Sequence, residues 1–238
     1  MSWAPPWWTG RWPGPPCSAT VVAVSAEAVR VEVHDAAIAF GDDTVFSGLS
    51  ASFEAGHVTA LVGPSGSGKS SLLAAIAGHQ PLARGRVEIH RGDGADPHRP
   101  SAALVAWVPQ GSNALGRRDV LDNVLIASLA DGRPMSRARA VAMTALDQVG
   151  LADRASEQAR RLSGGELQRV ALARALASGR PLVLADEPSA NLDAANTDMV
   201  ADILARVVSQ ATIIVATHDP ILVEAATASV HLRGGSHE

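Results

Sequence analysis

Tyrosine is absent from this chain, and its aromatic content is 3%, carried by three phenylalanines and five tryptophans. A repeated aromatic platform for stacking bases therefore has little to draw on. There is a single cysteine, Cys17, which rules out an intrachain disulfide and fits a reducing compartment. Cys17 lies in an irregular Pro-rich stretch and is not expected to carry thiol chemistry. No stretch is strongly basic and the formal net charge is −4, so neither nucleic acid nor anionic lipid is expected as a direct partner. The longest apolar runs are strand-length and fall well short of the roughly 20 residues a membrane-spanning helix needs. A basic-then-apolar secretion signal is also missing from the N-terminus.

With 238 residues, 47% of them hydrophobic, the chain can build one large α/β domain with a sizeable core. Residues 1–28 are set apart by composition. Trp3, Trp7, Trp8 and Trp12 lie there among Pro5, Pro6, Pro13, Pro15 and Pro16, and the segment reads as a disordered tail. A docking segment using the aromatic rings is the sharper alternative. From Val29 onward, valines alternate with polar residues as in a strand, and 36–54 read as short strands broken at Gly41 and Gly48. Apolar strands follow at 58–62, 87–89, 104–108, 182–185 and 212–216. Helical patterns occupy 70–77, much of 119–160, 166–177 and 196–208. This alternation predicts a mainly parallel core sheet with an antiparallel β subdomain before it. The strandless stretch at about 111–165 reads as an inserted α-helical subdomain within a domain spanning 29–238.

Three local patterns carry chemistry. Gly63-Pro64-Ser65-Gly66-Ser67-Gly68-Lys69-Ser70, followed by Ser71, fits the phosphate-binding loop, with a strand before it and a helix after. Its backbone N–H groups can curl around phosphate oxygens, Lys69 can reach the β- and γ-phosphates, and the Ser70 hydroxyl can ligate Mg²⁺. Next, an apolar strand runs into Asp186 and Glu187, which puts two carboxylates at a sheet edge. Asp186 is the expected Mg²⁺ holder and Glu187 the general base or positioner of an attacking water. Lastly, Leu162-Ser163-Gly164-Gly165-Glu166 opens a helix with free backbone N–H groups, a second anion site; in isolation the same pentapeptide reads as a plain helix cap.

Together, and in their order along the chain, these residues resemble the nucleotide-binding domain of ABC transporters, with its P-loop NTPase fold. Gly63–Ser70 matches Walker A, 182–187 Walker B, and Leu162–Glu166 the signature. Gln110 matches the Q-loop glutamine, Ser189-Ala190-Asn191-Leu192-Asp193 the D-loop, and His218 the switch histidine. The likeness covers residues 29–232. It implies that ATP with Mg²⁺ lies between one chain's Walker A and the partner's Ser163, Gly164 and Gly165. It further implies that His218 contacts the γ-phosphate, that Gln110 senses Mg²⁺ and water, and that Asp193 lies at the dimer seam. The family stacks adenine on an aromatic residue before Walker A; here Phe40 occupies that place, with ordinary core packing as its other reading. The implied partners are a second ATPase subunit, with a homodimer the simplest case, and an integral membrane permease that holds the chain at the cytoplasmic face. The wording of the motifs is closest to the ATPases of lipoprotein-releasing, macrolide-exporting and cell-division systems, although Ser189-Ala190 stands where that group has Thr-Gly. Export is the expected output. A compact amino-acid importer and a regulatory ATPase without solute transport are the alternatives.

Overall fold

A computed structural model describes residues 27–41, 43–92, 96–207 and 211–232; the Trp/Pro-rich stretch, apart from Glu27 and Ala28, lies outside them. Strands β1 (Val29–Phe40), β2 (Asp43–Phe53) and β4 (Arg84–Arg91) form an antiparallel sheet in the order β2-β1-β4. Strands β3 (Val58–Val62), β5 (Val105–Val108), β6 (Leu182–Asp186), β7 (Thr212–Ala216) and β8 (Ala228–His231) form a five-stranded sheet in the order β5-β6-β7-β3-β8. Every pairing in the second sheet is parallel.

Parallel strands read as continuous apolar runs because helices or a second sheet cover both faces. β6 shows this directly. Leu182 and Leu184 point into a core shared with β1, β4 and helix α1 (Lys69–Ile76), whereas Val183 and Ala185 point into the opposite core. That opposite core is built from α2 (Val120–Ala130), α3 (Met135–Gln148), α4 (Gly164–Ser178) and α5 (Ala194–Val207). β7 splits the same way, with Ile214 and Ala216 on one side and Ile213 and Val215 on the other. A buried threonine ties the two sheets together. The Thr212 hydroxyl donates to the Val29 carbonyl at 2.6 Å and accepts from the Gly56 N–H at 3.0 Å.

The elements depart from the sequence reading in four places. Gly48 does not break a strand: β2 runs through it, and the β1–β2 register shifts between the Ala36–Leu49 and Ile38–Phe46 pairs, so the irregularity is absorbed as a bulge. β4 extends well beyond 87–89 because its outer residues pair along β1 up to Ala37. Helix α6 (Pro220–Ala225), capped by the Asp219 side chain, and β8 follow β7 where no further element is expected. Within 111–165, residues 111–119 are non-helical. They are fastened by buried Asn123, which accepts from the Leu115 N–H at 2.7 Å and donates to the Leu115 carbonyl at 3.2 Å. Arg174 of α4 donates to the Asn123 carbonyl and side chain, so α4 is braced against α2.

Gly85 marks the tightest backbone approach in the antiparallel sheet. It has φ +84°, and an added Cβ would sit 2.3 Å from the His34 carbonyl oxygen and 2.4 Å from that of Asp35. Gly132 has a similar φ, +73°, but an open surround. Gly85→Ala is expected to cost about 2 kcal/mol more than Gly132→Ala, lowering the thermal midpoint by about 4–8 °C relative to that control in differential scanning calorimetry.

Candidate nucleotide site

The carboxyl ends of the parallel strands gather the polar groups that the two cores exclude. β3 runs into the 63–70 loop, β6 into Asp186 and Glu187, and β7, lying between them, into Thr217 and His218. In the loop the Ser67 N–H donates to the Pro64 carbonyl at 3.2 Å. Gly68 closes the turn at φ +91°, and a Cβ there would meet Val45 at 2.7 Å and Phe46 at 2.8 Å. The start of β2 is therefore pressed against the loop. Helix α1 begins at Lys69 with no side-chain cap, which leaves its first-turn N–H groups directed at whatever the loop encloses.

Lys69 is nearly buried. Its ammonium donates to the Gly63 carbonyl at 2.8 Å and the Pro64 carbonyl at 3.2 Å, and lies 3.6 Å from a Glu187 oxygen. The Ser70 hydroxyl donates to Asp186 at 2.9 Å. Burial pushes the Asp186 carboxyl above the ordinary aspartate range, opposed by the Ser70 hydrogen bond, with neighbouring Glu187 pushing it further up and Lys69 pulling it down. Glu187 adopts φ +45°, an uncommon conformation for a non-glycine residue. It is pinned there by its own N–H, which donates to the Ala216 carbonyl of β7 at 2.8 Å. Its two carboxylate oxygens lie 3.0 and 2.9 Å from Nδ1 of His218, whose ring is otherwise exposed. The structure thus brings the loop, Asp186, Glu187 and His218 into one cluster.

Ser163, Gly164 and Gly165 form a second, separate locus. Ser163 caps α4 in a reciprocal box: its hydroxyl accepts from the Glu166 N–H at 3.3 Å, and the Glu166 carboxylate accepts from the Ser163 N–H at 2.8 Å. Those bonds to Ser163, and then Arg154, hold the Glu166 carboxyl below the ordinary range. A Cβ on Gly164 would meet nothing within 4 Å, whereas one on Gly165 would sit 2.3 Å from the Asn196 side-chain oxygen. Asn196 also donates from both its backbone and its side chain to Asp193 at 2.8 Å, which lowers the Asp193 carboxyl. Asn196 thus joins the diglycine turn to Asp193. The sequence reading missed it, although an asparagine three residues after an aspartate at a helix start is a recognisable capping signal. Among the described residues, no hydrogen bond or ion pair links 163–165 to the 63–71 loop.

Phe40 ends β1 opposite Asp43 and is 53% exposed, so the core reading of this ring is excluded. Gln110 is exposed just beyond β5, the strand next to β6. No hydrogen bond links either residue to the cluster.

The hard oxygen donors Ser70 and Asp186, in contact beside a phosphate-type loop, suit Mg²⁺, which favours one or two protein oxygens plus substrate phosphates.

Comparison with known proteins agrees with this geometry. Residues 46–190 match the ABC transporter family model. A lipoprotein-releasing system ATP-binding protein of Ruegeria sp. is 40% identical over 203 residues, covering 82% of this chain and 89% of the relative. An uncharacterised ABC transporter ATP-binding protein of Mycobacterium tuberculosis is 39% identical over 198 residues, covering 80% of each. A phosphate-import ATP-binding protein of Mycolicibacterium smegmatis is 40% identical over 197 residues, covering 77% of this chain and 74% of the relative. Among solved structures, a bacterial Atm1-family ABC exporter with ATP bound superposes with TM-score 0.71 at 26% identity, over 87% of this chain and 37% of the exporter. The fold is shared by an ATP-binding cassette dimer in a post-hydrolysis state with ADP and phosphate, at TM-score 0.71, 24% identity, and 85% and 94% coverage. Loop, acidic pair, signature turn and family match converge, and the chain belongs to the ABC transporter ATP-binding family as an ATP-hydrolysing subunit.

Proposed function

We propose that two copies of this chain close head to tail around two ATP molecules and drive a separate membrane-spanning permease in the export direction, from the cytoplasmic face. The observation that carries this reading is the division of phosphate-directed backbone into two loci on one chain. The 63–71 loop has the lysine, and in the 163–165 turn the Ser163 N–H is taken by Glu166 while Gly164 and Gly165 offer theirs, with no bond to that loop. A γ-phosphate needs donors on both sides, and a second copy supplies the missing set. The lipoprotein-releasing relative favours export. The phosphate-import relative, equally identical, favours the importer reading, which stands second.

In this scheme Phe40 stacks on adenine. Gly63, Pro64, Ser65, Gly66, Ser67, Gly68 and Ser71 wrap the phosphates, and Lys69 turns from its loop carbonyls to the β- and γ-oxygens. Ser70, Asp186 and Gln110 hold Mg²⁺, whose chemistry when bound is to neutralise charge on the phosphates. Glu187 orients and deprotonates the attacking water. His218, which holds Glu187 through Nδ1, presents the rest of its exposed ring to the γ-phosphate. Ser163, Gly164 and Gly165 act on the partner's nucleotide, and Asp193 lies at the seam. Gln110, near the loop that Asn123 fastens to α2, passes the closure to the permease.

The decisive test is complementation in mixed dimers. Lys69→Ala and Gly164→Asp are each expected to be inactive alone. Mixed, they should regain turnover, because one composite site then pairs an intact loop with an intact turn. An inactive mixture of two folded variants would show that both loci act within one chain. Glu187→Gln is expected to cut hydrolysis about 10²- to 10⁴-fold and to elute as a dimer in ATP-containing size-exclusion chromatography, where wild type does not accumulate as one. Phe40→Ala is expected to raise the apparent KM for ATP about 2- to 10-fold with little change in kcat, reflecting a stacking energy of about 0.5–1.5 kcal/mol.

A further inference from the structure

Away from the nucleotide cluster, the outer face of the antiparallel sheet carries a group of side chains that the ATPase chemistry does not use. Alternation places Arg30, Glu32 and His34 of β1 on that face, while Val29, Val31 and Val33 go to the core. In β4, Arg86, Glu88 and His90 alternate against buried Val87 and Ile89. The register sets Glu32 directly opposite Glu88, a like-charge pair that destabilises a sheet unless something compensates it.

The surrounding contacts are partitioned by oxygen. Oε1 of Glu32 takes Arg30 at 3.2 Å, and Oε1 of Glu88 takes Arg86 at 2.8 Å. Both Oε2 atoms are left to the histidines. Nε2 of His34 lies 3.3 Å from Oε2 of Glu32 and 3.2 Å from Oε2 of Glu88. Nε2 of His90 lies 3.5 and 3.9 Å from the same two oxygens. Both Nε2 atoms are enclosed, yet neither forms a hydrogen bond. Donor atoms of Glu32, His34 and Glu88 lie within 4.8 Å of one another, with all three side chains half-buried.

We propose that Glu32, His34, Glu88 and His90 form a binding site for a divalent transition metal of the zinc type. Ligands about 2.1 Å from a tetrahedral zinc stand about 3.4 Å from one another. The His34–carboxylate separations of 3.3 and 3.2 Å fit that value, and His90, at 3.5 and 3.9 Å and outside the 4.8 Å group, completes the set by a small side-chain movement. Two imidazoles with two carboxylates is a donor set for zinc and its d-block neighbours, as distinct from the all-oxygen set for Mg²⁺ at Ser70 and Asp186. Arg30 and Arg86 fix the carboxylates from behind, as outer partners do in metal sites. The four ligands come from two neighbouring strands, so the ion fastens β1, the strand that ends in Phe40, to β4.

The test uses the full chain without nucleotide, titrated with Co²⁺ as a spectroscopic probe and then with Zn²⁺. Wild type is expected to show the visible absorption of four-coordinate Co²⁺, saturating at one equivalent and abolished by one equivalent of Zn²⁺. Zn²⁺ should also raise its thermal midpoint. Changing outer partners alone costs about 10- to 100-fold in metal affinity, so His34→Ala/His90→Ala should weaken binding at least that much and remove the thermal shift. Should that double variant melt too early to titrate, His34→Gln, which keeps most of the volume and has no ring nitrogen, reads the same loss. His218→Ala must keep the absorption, because the His218–Glu187 pair belongs to the nucleotide cluster and not to this sheet face. Absence of the band from wild type, its persistence in folded His34→Ala/His90→Ala or His34→Gln, or its loss in His218→Ala overturns the assignment.

Discussion

Burial of both faces of the five-stranded parallel sheet is the constraint from which the rest of the molecule follows. Leu182 and Leu184 are taken by one core, and Val183 and Ala185 by the other. No position inside β6 is left for a polar side chain, and the first carboxylate appears where the strand ends. β3 and β7 are also buried along most of their length, with the threonines Thr59 and Thr212 as their polar side chains, and three strand ends deliver a phosphate-type loop, an acidic pair and a histidine to one edge. Within that edge the backbone does further positioning. The bond from the Glu187 N–H to the Ala216 carbonyl extends the β6–β7 pairing by one step and holds Glu187 at φ +45°. A side chain aimed by a ladder bond costs no reorganisation when charge develops near it, which is the condition under which electrostatic stabilisation is most effective.

Lys69 and Asp186 show how that edge balances its charges. Asp186 is held above the ordinary aspartate range by burial, and the Ser70 hydroxyl and the Lys69 ammonium oppose the shift. A doubly charged cation at the same oxygens favours the ionised carboxylate far more strongly than a hydroxyl does. Lys69 meanwhile spends its donors on two loop carbonyls and lies near Glu187. The Lys69 ammonium and the Ser70–Asp186 pair are therefore satisfied within the cluster, whereas the buried Ser67 hydroxyl has no hydrogen-bond partner there.

How much of this was legible in the sequence follows from the range of each interaction. The 63–70 loop, the acidic pair after an apolar strand and the helix cap at Ser163 are contiguous patterns whose geometry is set within a few residues: the loop stands between β3 and α1, the pair ends β6, and Ser163 caps α4. The parallel sheet was legible because strands buried on both faces are apolar throughout. Gly48 misled because a glycine in a strand is absorbed by a bulge when the partner strand shifts register, which depends on β1 and not on local sequence. β8 and α6 escaped notice because each is short, and β8 is largely exposed, which leaves no strong periodicity to read. The Glu32–His34–Glu88–His90 group was invisible for a different reason. Each strand alone reads as ordinary alternation, and the cluster arises only when register sets β1 against β4.

The two glycines of the diglycine turn stand in different surroundings. At Gly165 a side chain is excluded from within, because Asn196 approaches to where a Cβ would stand. At Gly164 none of the described residues comes within 4 Å of where a Cβ would stand, so none of them excludes a side chain there. The same Asn196 bonds to Asp193 through both its backbone and its side chain. Asn196 therefore lies between the turn and Asp193, close against Gly165 and bonded to Asp193.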